Sequence, residues 1–180
     1  VPHGNDGSIS LKNLATCVNS DLANNYGNLC QRIFSFIKNN CGNKVKRLTI
    51  LSDADKELLK ESDKLSKNLR DDMNNQKLNS YLKSVINISF LTNKYINDEE
   101  PWKLKNSNVE KMNNILHIAL QQIAKISILL NPIIPNSSLK VLTALNIDKS
   151  LINLSFLDGK DILPNQVSIK ELDILFKKIV

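Results

Sequence analysis

The sequence predicts an all-α protein, a helical bundle with a C-terminal extension, and three observations predict it. Apolar side chains recur at steps of three and four along several long stretches. No segment of useful length alternates apolar and polar residues as a half-buried strand would. Gly and Pro number five each, too few for a chain full of turns. Hydrophobic residues make up 42% of the 180 positions, enough for a core, and no repeat period is present, so one domain with a tail is the natural organisation.

The elements follow in order. Residues 1–8 contain Pro2, Gly4 and Gly7 and read as a loop. A helix is expected from Ser8 or Ser10, with Leu11, Leu14, Ala15 and Val18 on one face. That stripe continues through Leu22, Tyr26, Leu29, Ile33 and Phe36. Asn19, Ser20 and Asp21 can each cap a new helix, so a bend is expected there. Gly42, between Cys41 and Asn43, is a natural stop. Ser52-Asp53-Ala54-Asp55 opens a second helix whose apolar face is thin (Leu58, Leu65, Leu69, Met73), so it is placed at the periphery. A third helix is expected from about Asn75 to Asp98. Leu78, Leu82, Val85 and Ile96 mark one buried line, and Tyr81, Ile88, Thr92 and Tyr95 a second. Pro101 ends it, because the residue before a proline is pushed out of the helical region. Asn106-Ser107-Asn108 caps the fourth helix. Met112, Leu116, Ala119, Ile123, Ile126 and Leu130 form its core face, and Ile115, Ile118, Ile128 and Leu129 widen it, so this helix is expected at the centre. Asn131-Pro132 breaks it, and Pro135 suits the first turn of a fifth, over Asn136–Leu145. Beyond Asn146 there are short apolar pieces around Gly159 and Pro164, with a last short helix expected near Ile169–Ile179. Residues 1–146 are thus assigned to the helical domain and 147–180 to the extension.

The formal net charge is +6, which is compatible with a nucleic-acid partner without demanding one. The excess is local: the first 52 residues carry Lys12, Arg32, Lys38, Lys44, Lys46 and Arg47 against Asp6 and Asp21, while residues 53–72 are slightly acidic. Cys17, Cys30 and Cys41 form no CxxC pair, and with only His3 and His117 beside them they give no zinc spacing. They read as reduced thiols of a cytoplasmic protein. The longest apolar run, Ile126 to Ile134, is interrupted by Ser127, Asn131 and Pro132 and cannot span a bilayer, so no membrane partner is expected. No signal or transit peptide is recognised.

No nucleophile–histidine pair, Gly-rich phosphate loop or metal-ligand spacing is present, so no catalytic, metal or cofactor residue is assigned. The carboxylates Asp71-Asp72 and Asp98-Glu99-Glu100 read as solvated helix ends. Two other constellations bear on recognition. On the polar face of the first long helix, Asn24, Asn28 and Arg32 stand four apart, with Ser35 near the same line. Asn offers a donor and an acceptor to a base edge, and Arg offers a planar charged fork that stacks on a base or binds phosphate. The plainer alternative is an ordinary solvated face. Trp102, the single Trp, lies in the loop Pro101-Trp102-Lys103-Leu104-Lys105, where it could stack on an unpaired base or fold over the bundle end. Lys103, Lys105, Lys44, Lys46 and Arg47 are candidate phosphate contacts, the last three as a basic loop that could equally be mere solvated surface. Tyr95 and Asn93 are assigned to packing and hydrogen bonding, and His117 to the edge of the core.

These pieces, in this order, resemble one known family. The run Asp21-Leu22-Ala23-Asn24-Asn25-Tyr26-Gly27-Asn28-Leu29-Cys30-Gln31-Arg32 resembles the start of the anticodon-binding domain of bacterial-type methionyl-tRNA synthetases. Val1-Pro2-His3-Gly4-Asn5-Asp6-Gly7 is similar to the segment leading into that domain. Asn93-Lys94-Tyr95-Ile96 followed by Glu100-Pro101-Trp102-Lys103-Leu104 matches a second marker, and Leu130-Asn131-Pro132-Ile133-Ile134-Pro135 a third. The resemblance implies the helical bundle of a class I synthetase anticodon-binding domain. It implies a methionine–tRNA ligase that charges tRNA with methionine using ATP, in the cytoplasm. ATP and methionine would bind a catalytic domain of the same polypeptide, bearing the HIGH and KMSKS motifs. This chain has neither motif and is expected to be inactive alone. The implied partner is tRNA with a CAU anticodon, with Asn28 and Arg32 contacting its bases and Trp102 stacking. The closing residues Glu171–Ile179 match only loosely a family segment that returns toward the catalytic half, so the extension is expected to pack on the bundle or toward that half. Two alternatives stay open: the anticodon domain of another aliphatic-specific class I synthetase, and a helical protein-interaction module.

Overall fold

A computed structural model describes residues 10–154 and 161–179. The predicted opening loop and the surroundings of Gly159 lie outside them. Among the described residues the fold is helical: α1 (Leu11–Cys17), a π-helical run (Val18–Gly27), α2 (Asn28–Asn40), α3 (Asp53–Ser66), α4 (Leu69–Asn74), α5 (Leu78–Glu99), α6 (Val109–Leu130) and α7 (Pro135–Ala144). Short 3-10 turns occupy Pro101–Leu104 and Lys149–Leu151. One small antiparallel ribbon joins β1 (Lys44–Lys46) to β2 (Gln166–Ser168), with Val45 opposite Val167.

Most boundaries have the expected chemical causes. The Ser52 hydroxyl accepts from the Asp55 backbone N–H at 3.2 Å while the Asp55 carboxylate accepts from the Ser52 N–H at 2.9 Å, a reciprocal cap on α3. Asn108 accepts from the Lys111 N–H at 2.9 Å to start α6. Gly42 and Asn43, at φ of 56° and 62°, turn the chain out of α2 into β1.

Several expectations need correction. The second helix, expected to continue through Leu69 and Met73, stops at Ser66, and α4 starts anew at Leu69. Leu78, predicted on a buried line, is exposed, and Asp72, read as a solvated helix end, is buried and accepts from the Ser80 hydroxyl at 2.8 Å. The bend near Asn19–Asp21 is instead a π-helical run of ten residues. Its end at Gly27 is closely covered: a Cβ there would lie 2.9 Å from both the Leu22 carbonyl oxygen and a ring carbon of Phe176. Leu11 and Leu14, predicted on the buried stripe, are 83% and 54% exposed, and burial begins only at Asn25 and Tyr26. Lys44-Val45-Lys46 is a strand and not a loop, with Val45 buried and the lysines exposed. Residues 169–179 are not helical. The backbone N–H groups of Ile169 and Lys170 donate to Asn43 and Ala144 carbonyls at 2.9 and 2.8 Å, so these donors feed tertiary acceptors instead of a helix ladder.

The C-terminal run then crosses the bundle. Leu163, Val167, Ile169 and Leu172 are buried, Phe176 packs beside Tyr26 with ring centroids 6.2 Å apart, and Asn19 exchanges two 2.9 Å hydrogen bonds with Ile179.

Helix α6 is central, as its apolar pattern predicts. From Ile115 to Leu130 it is buried on every side, so its polar residues are buried too and each needs a partner. Asn114 accepts from the Leu48 N–H at 2.9 Å, Gln121 from the Leu163 N–H at 2.9 Å, and Gln122 from the Ser62 hydroxyl at 2.6 Å. Lys125 is paired with Asp63 at 2.7 Å, and Ser127 meets the Tyr26 hydroxyl at 2.7 Å. These side chains peg α3, the π-helical run and the C-terminal run to one axis.

His117 is fully buried, its Nε2–H donating to the Pro164 carbonyl at 2.8 Å. Burial holds its pKa below the ordinary 6.5, reinforced by Arg47 and opposed by the Pro164 bond and by Asp161. The fold therefore keeps the ring neutral while the unfolded chain takes up a proton. Its contribution is complete above about pH 6.5 and is lost as pH falls below that, with a limiting slope of about 1.4 kcal/mol per pH unit. The urea midpoint is expected to fall between about pH 7 and 5.5, and His117→Gln to flatten that fall. An equal fall in the variant would assign the titration to another group.

Candidate nucleic-acid interface

The site begins at the end of α5. Glu100 adopts a left-handed conformation, φ 43°, and reverses the chain. Pro101 is buried and opens the 3-10 turn; Leu104 packs against the core, and Asn108 restarts helix. Trp102 is thereby held on a short, doubly anchored loop and is 41% exposed. Helix α2 approaches from the other side. The Arg32 guanidinium carbon lies 5.6 Å from the Trp102 ring centroid, within cation–π range, and its Nη2 donates to Asn97 Oδ1 at 2.9 Å.

A pocket of about 450 Å³ opens beside this pair. Its floor is the buried Ile33, Ile96 and Leu116, and its walls include Phe36, Asn39 and Trp102. An apolar floor, an exposed flat ring and a planar cation can hold a flat heteroaromatic ligand, and the volume lies in the range of roughly 300–1,000 Å³ usual for small-ligand sites.

The predicted residues are distributed as follows. Arg32 and Trp102 are brought together. Asn28 is exposed on α2, one turn before Arg32, and does not line the pocket. Asn24 lies in the π-helical run, so the predicted stack of Asn24, Asn28 and Arg32 at steps of four does not extend back to it. Ser35 borders the pocket. Lys103 pairs with Glu100 at 2.7 Å. Lys105 is exposed close to the end of α2, where its charge acts on Cys41, whose thiol pKa is raised mainly by burial. Lys44 and Lys46 are exposed on β1, whereas Arg47 is held by Asp161 at 2.5 Å with its side chain 17% exposed. Sequence reasoning missed Asn97, which steers Arg32, and Phe36 and Asn39 as walls. Asn97 lies 65 residues from Arg32, and no local pattern could pair them.

The fold is that of the helical domain of an aminoacyl-tRNA synthetase. It superposes on methionyl-tRNA synthetase of Mycobacterium tuberculosis in its apo form with a TM-score of 0.92, at 27% identity, over 100% of this chain and 37% of that one. The same enzyme bound by methionyl-adenylate gives a TM-score of 0.91 over 98% of this chain and 35% of that one, again at 27% identity. Methionine–tRNA ligase of Rhizobium meliloti is 37% identical over 142 residues, 79% of this chain and 28% of the relative. That of Bacteroides fragilis is 31% identical over 179 residues, 99% of this chain and 26% of the relative. Residues 47–180 match the family described as the anticodon binding domain of methionyl tRNA ligase. The chain belongs to that family. It spans less than a third of the length of these curated relatives.

Proposed function

We propose that this chain recognises the CAU anticodon of a methionine tRNA, as the anticodon-binding part of a methionine–tRNA ligase working in the cytoplasm. A catalytic domain in the same polypeptide would bind ATP and methionine and charge the tRNA. The observation that carries the reading is the Arg32 cation standing over the exposed Trp102 ring at the mouth of an apolar pocket.

Each residue has a task suited to its chemistry. Trp102 offers a π face on which an unpaired base stacks. Arg32, steered by Asn97, fixes the ring and directs its remaining donors to a base edge or a phosphate. Asn28, one turn along α2, reads the edge of a neighbouring base. Lys105, Lys44 and Lys46 attract phosphates; Lys103 does so after loosening its contact with Glu100, and Arg47 contributes least because Asp161 engages it.

The test compares a CAU stem-loop with mismatched stem-loops, following Trp102 fluorescence. CAU is expected to quench at the lowest concentration. Arg32→Ala should weaken that binding at a cost of about 1–2 kcal/mol in stability, the worth of the Trp102 contact and the Asn97 hydrogen bond together. Equal binding of all loops would overturn the reading.

A further inference from the structure

We propose that α7 and the C-terminal run carry a second RNA-binding surface, a lysine track of Lys140, Lys149 and Lys170 that takes the sugar–phosphate backbone of the stem beneath the recognised loop. The inference rests on the anticodon reading of the Trp102 pocket and adds a path along which the rest of the anticodon arm is held.

The track is an open groove of about 640 Å³ between α7 and residues 170–173, lined by those three lysines together with Glu171 and Asp173. It is continuous with the Trp102 pocket. Ser35 and Asn39 border both that pocket and a smaller depression of about 150 Å³, and Lys170, Glu171 and Leu172 border both the depression and the large groove. Strand alternation sets the direction of Lys170. Val167 and Ile169 are buried, so Ser168 and Lys170 face outward, and across the ribbon Lys44 and Lys46 face outward around buried Val45. The Lys170 N–H bond to the Ala144 carbonyl pins this point of the chain to the end of α7.

Charge and composition select the occupant. Among the described residues, Lys140, Lys149 and Lys170 are exposed and engaged in no ion pair, whereas Glu171 is met by Lys38 at 2.6 Å. Among the described residues the lining has no aromatic side chain, in contrast to the Trp102 pocket, so the groove they form suits charge and not stacking. Separated point charges along an open groove suit a chain with one phosphate per residue. Bases would be read at Trp102 and the backbone held at the lysines.

The test uses the 180-residue chain and its Lys140→Gln/Lys149→Gln/Lys170→Gln variant. Affinities are measured between about 50 and 200 mM salt for a CAU hairpin with its full stem and for the loop sequence alone as a single strand. For the hairpin, the variant is expected to lose about tenfold or more in affinity at low salt, and its salt slope to shrink by about two to three. Its binding of the single strand, its preference for CAU and its melting temperature should match the wild type. Unchanged hairpin affinity and slope would overturn the track, as would an equal loss on the single strand. A wild-type chain that binds hairpins without preferring CAU overturns the anticodon reading on which the track rests. A wild-type chain that binds no hairpin overturns both.

Discussion

Trp102→Ala is expected to weaken binding of a CAU stem-loop by about 1–3 kcal/mol while lowering the urea midpoint far less than a core truncation would. A core tryptophan would behave in the opposite way, its truncation costing about 3–5 kcal/mol of folding stability. The surroundings of Trp102 decide between these outcomes. Trp102 is 41% exposed, and the loop is also anchored by its neighbours, Pro101 and Leu104, so truncation removes less packing than it would at a fully buried site. Within the protein the ring meets the Arg32 cation at 5.6 Å, a partly exposed interaction worth about 0.5–1 kcal/mol. Trp102→Phe should recover part of the binding, because stacking needs a flat π face and not the indole N–H. Arg32→Ala combined with Trp102→Ala should cost less than the sum of the two, because the pair acts as one surface. A large fall in the urea midpoint with unchanged RNA affinity would assign Trp102 to the fold alone.

The bundle is legible in the sequence wherever a helix buries one face and stops at a capping residue. Ser52, Asn108, Pro101 and Pro135 all act as expected because capping and proline sterics are local. The site is legible in part. Trp102 stands out as the one aromatic in a basic helix-to-helix loop, and Arg32 as the cation on the polar face of α2. What periodicity cannot show is a contact made by chain ends far apart. The β1–β2 ribbon has three residues a side, too few to alternate visibly, and its strands are separated by most of the chain. The C-terminal run spaces Ile169, Leu172 and Phe176 in a helix-like way, yet its backbone donors are taken by Asn43 and Ala144. The polar side of α6 is also opaque to pattern. Asn114, His117, Gln121 and Lys125 would mark a solvated face on any amphipathic helix, and here each is buried against a specific partner.

Among those buried contacts the heaviest loss is expected at Asp55, where Asp55→Ala should lower folding stability by about 3–5 kcal/mol. Asp55 is 1% exposed, and its carboxylate accepts from three donors: the Ser52 N–H at 2.9 Å, the Asn114 amide at 2.8 Å and the Tyr95 hydroxyl. Removing it leaves those donors facing an apolar interior, at about 1–3 kcal/mol for each one left unsatisfied, and also deletes half of the α3 cap. Burial, reinforced by the adjacent carboxylate, pushes the Tyr95 phenol well above its ordinary pKa, so it stays protonated and donates at all working pH values. Asp55→Asn keeps the shape but recovers only part of the loss, because the amide must turn its NH₂ toward one of the donors. Tyr95→Phe removes a single donor and should cost about 1.5–3 kcal/mol. Combined with Asp55→Ala it should cost less than the sum, since the two share a bond. Tyr95 and Asn114 stand on α5 and α6, the two helices that flank the Trp102 loop, so one carboxylate ties both sides of that loop to α3. Urea unfolding of Asp55→Ala, Asp55→Asn and Tyr95→Phe tests the energetics. Trp102 emission in the folded Asp55→Asn protein tests the tie: a shifted maximum shows that the carboxylate holds the loop, and an unchanged one confines its role to the stability of α3.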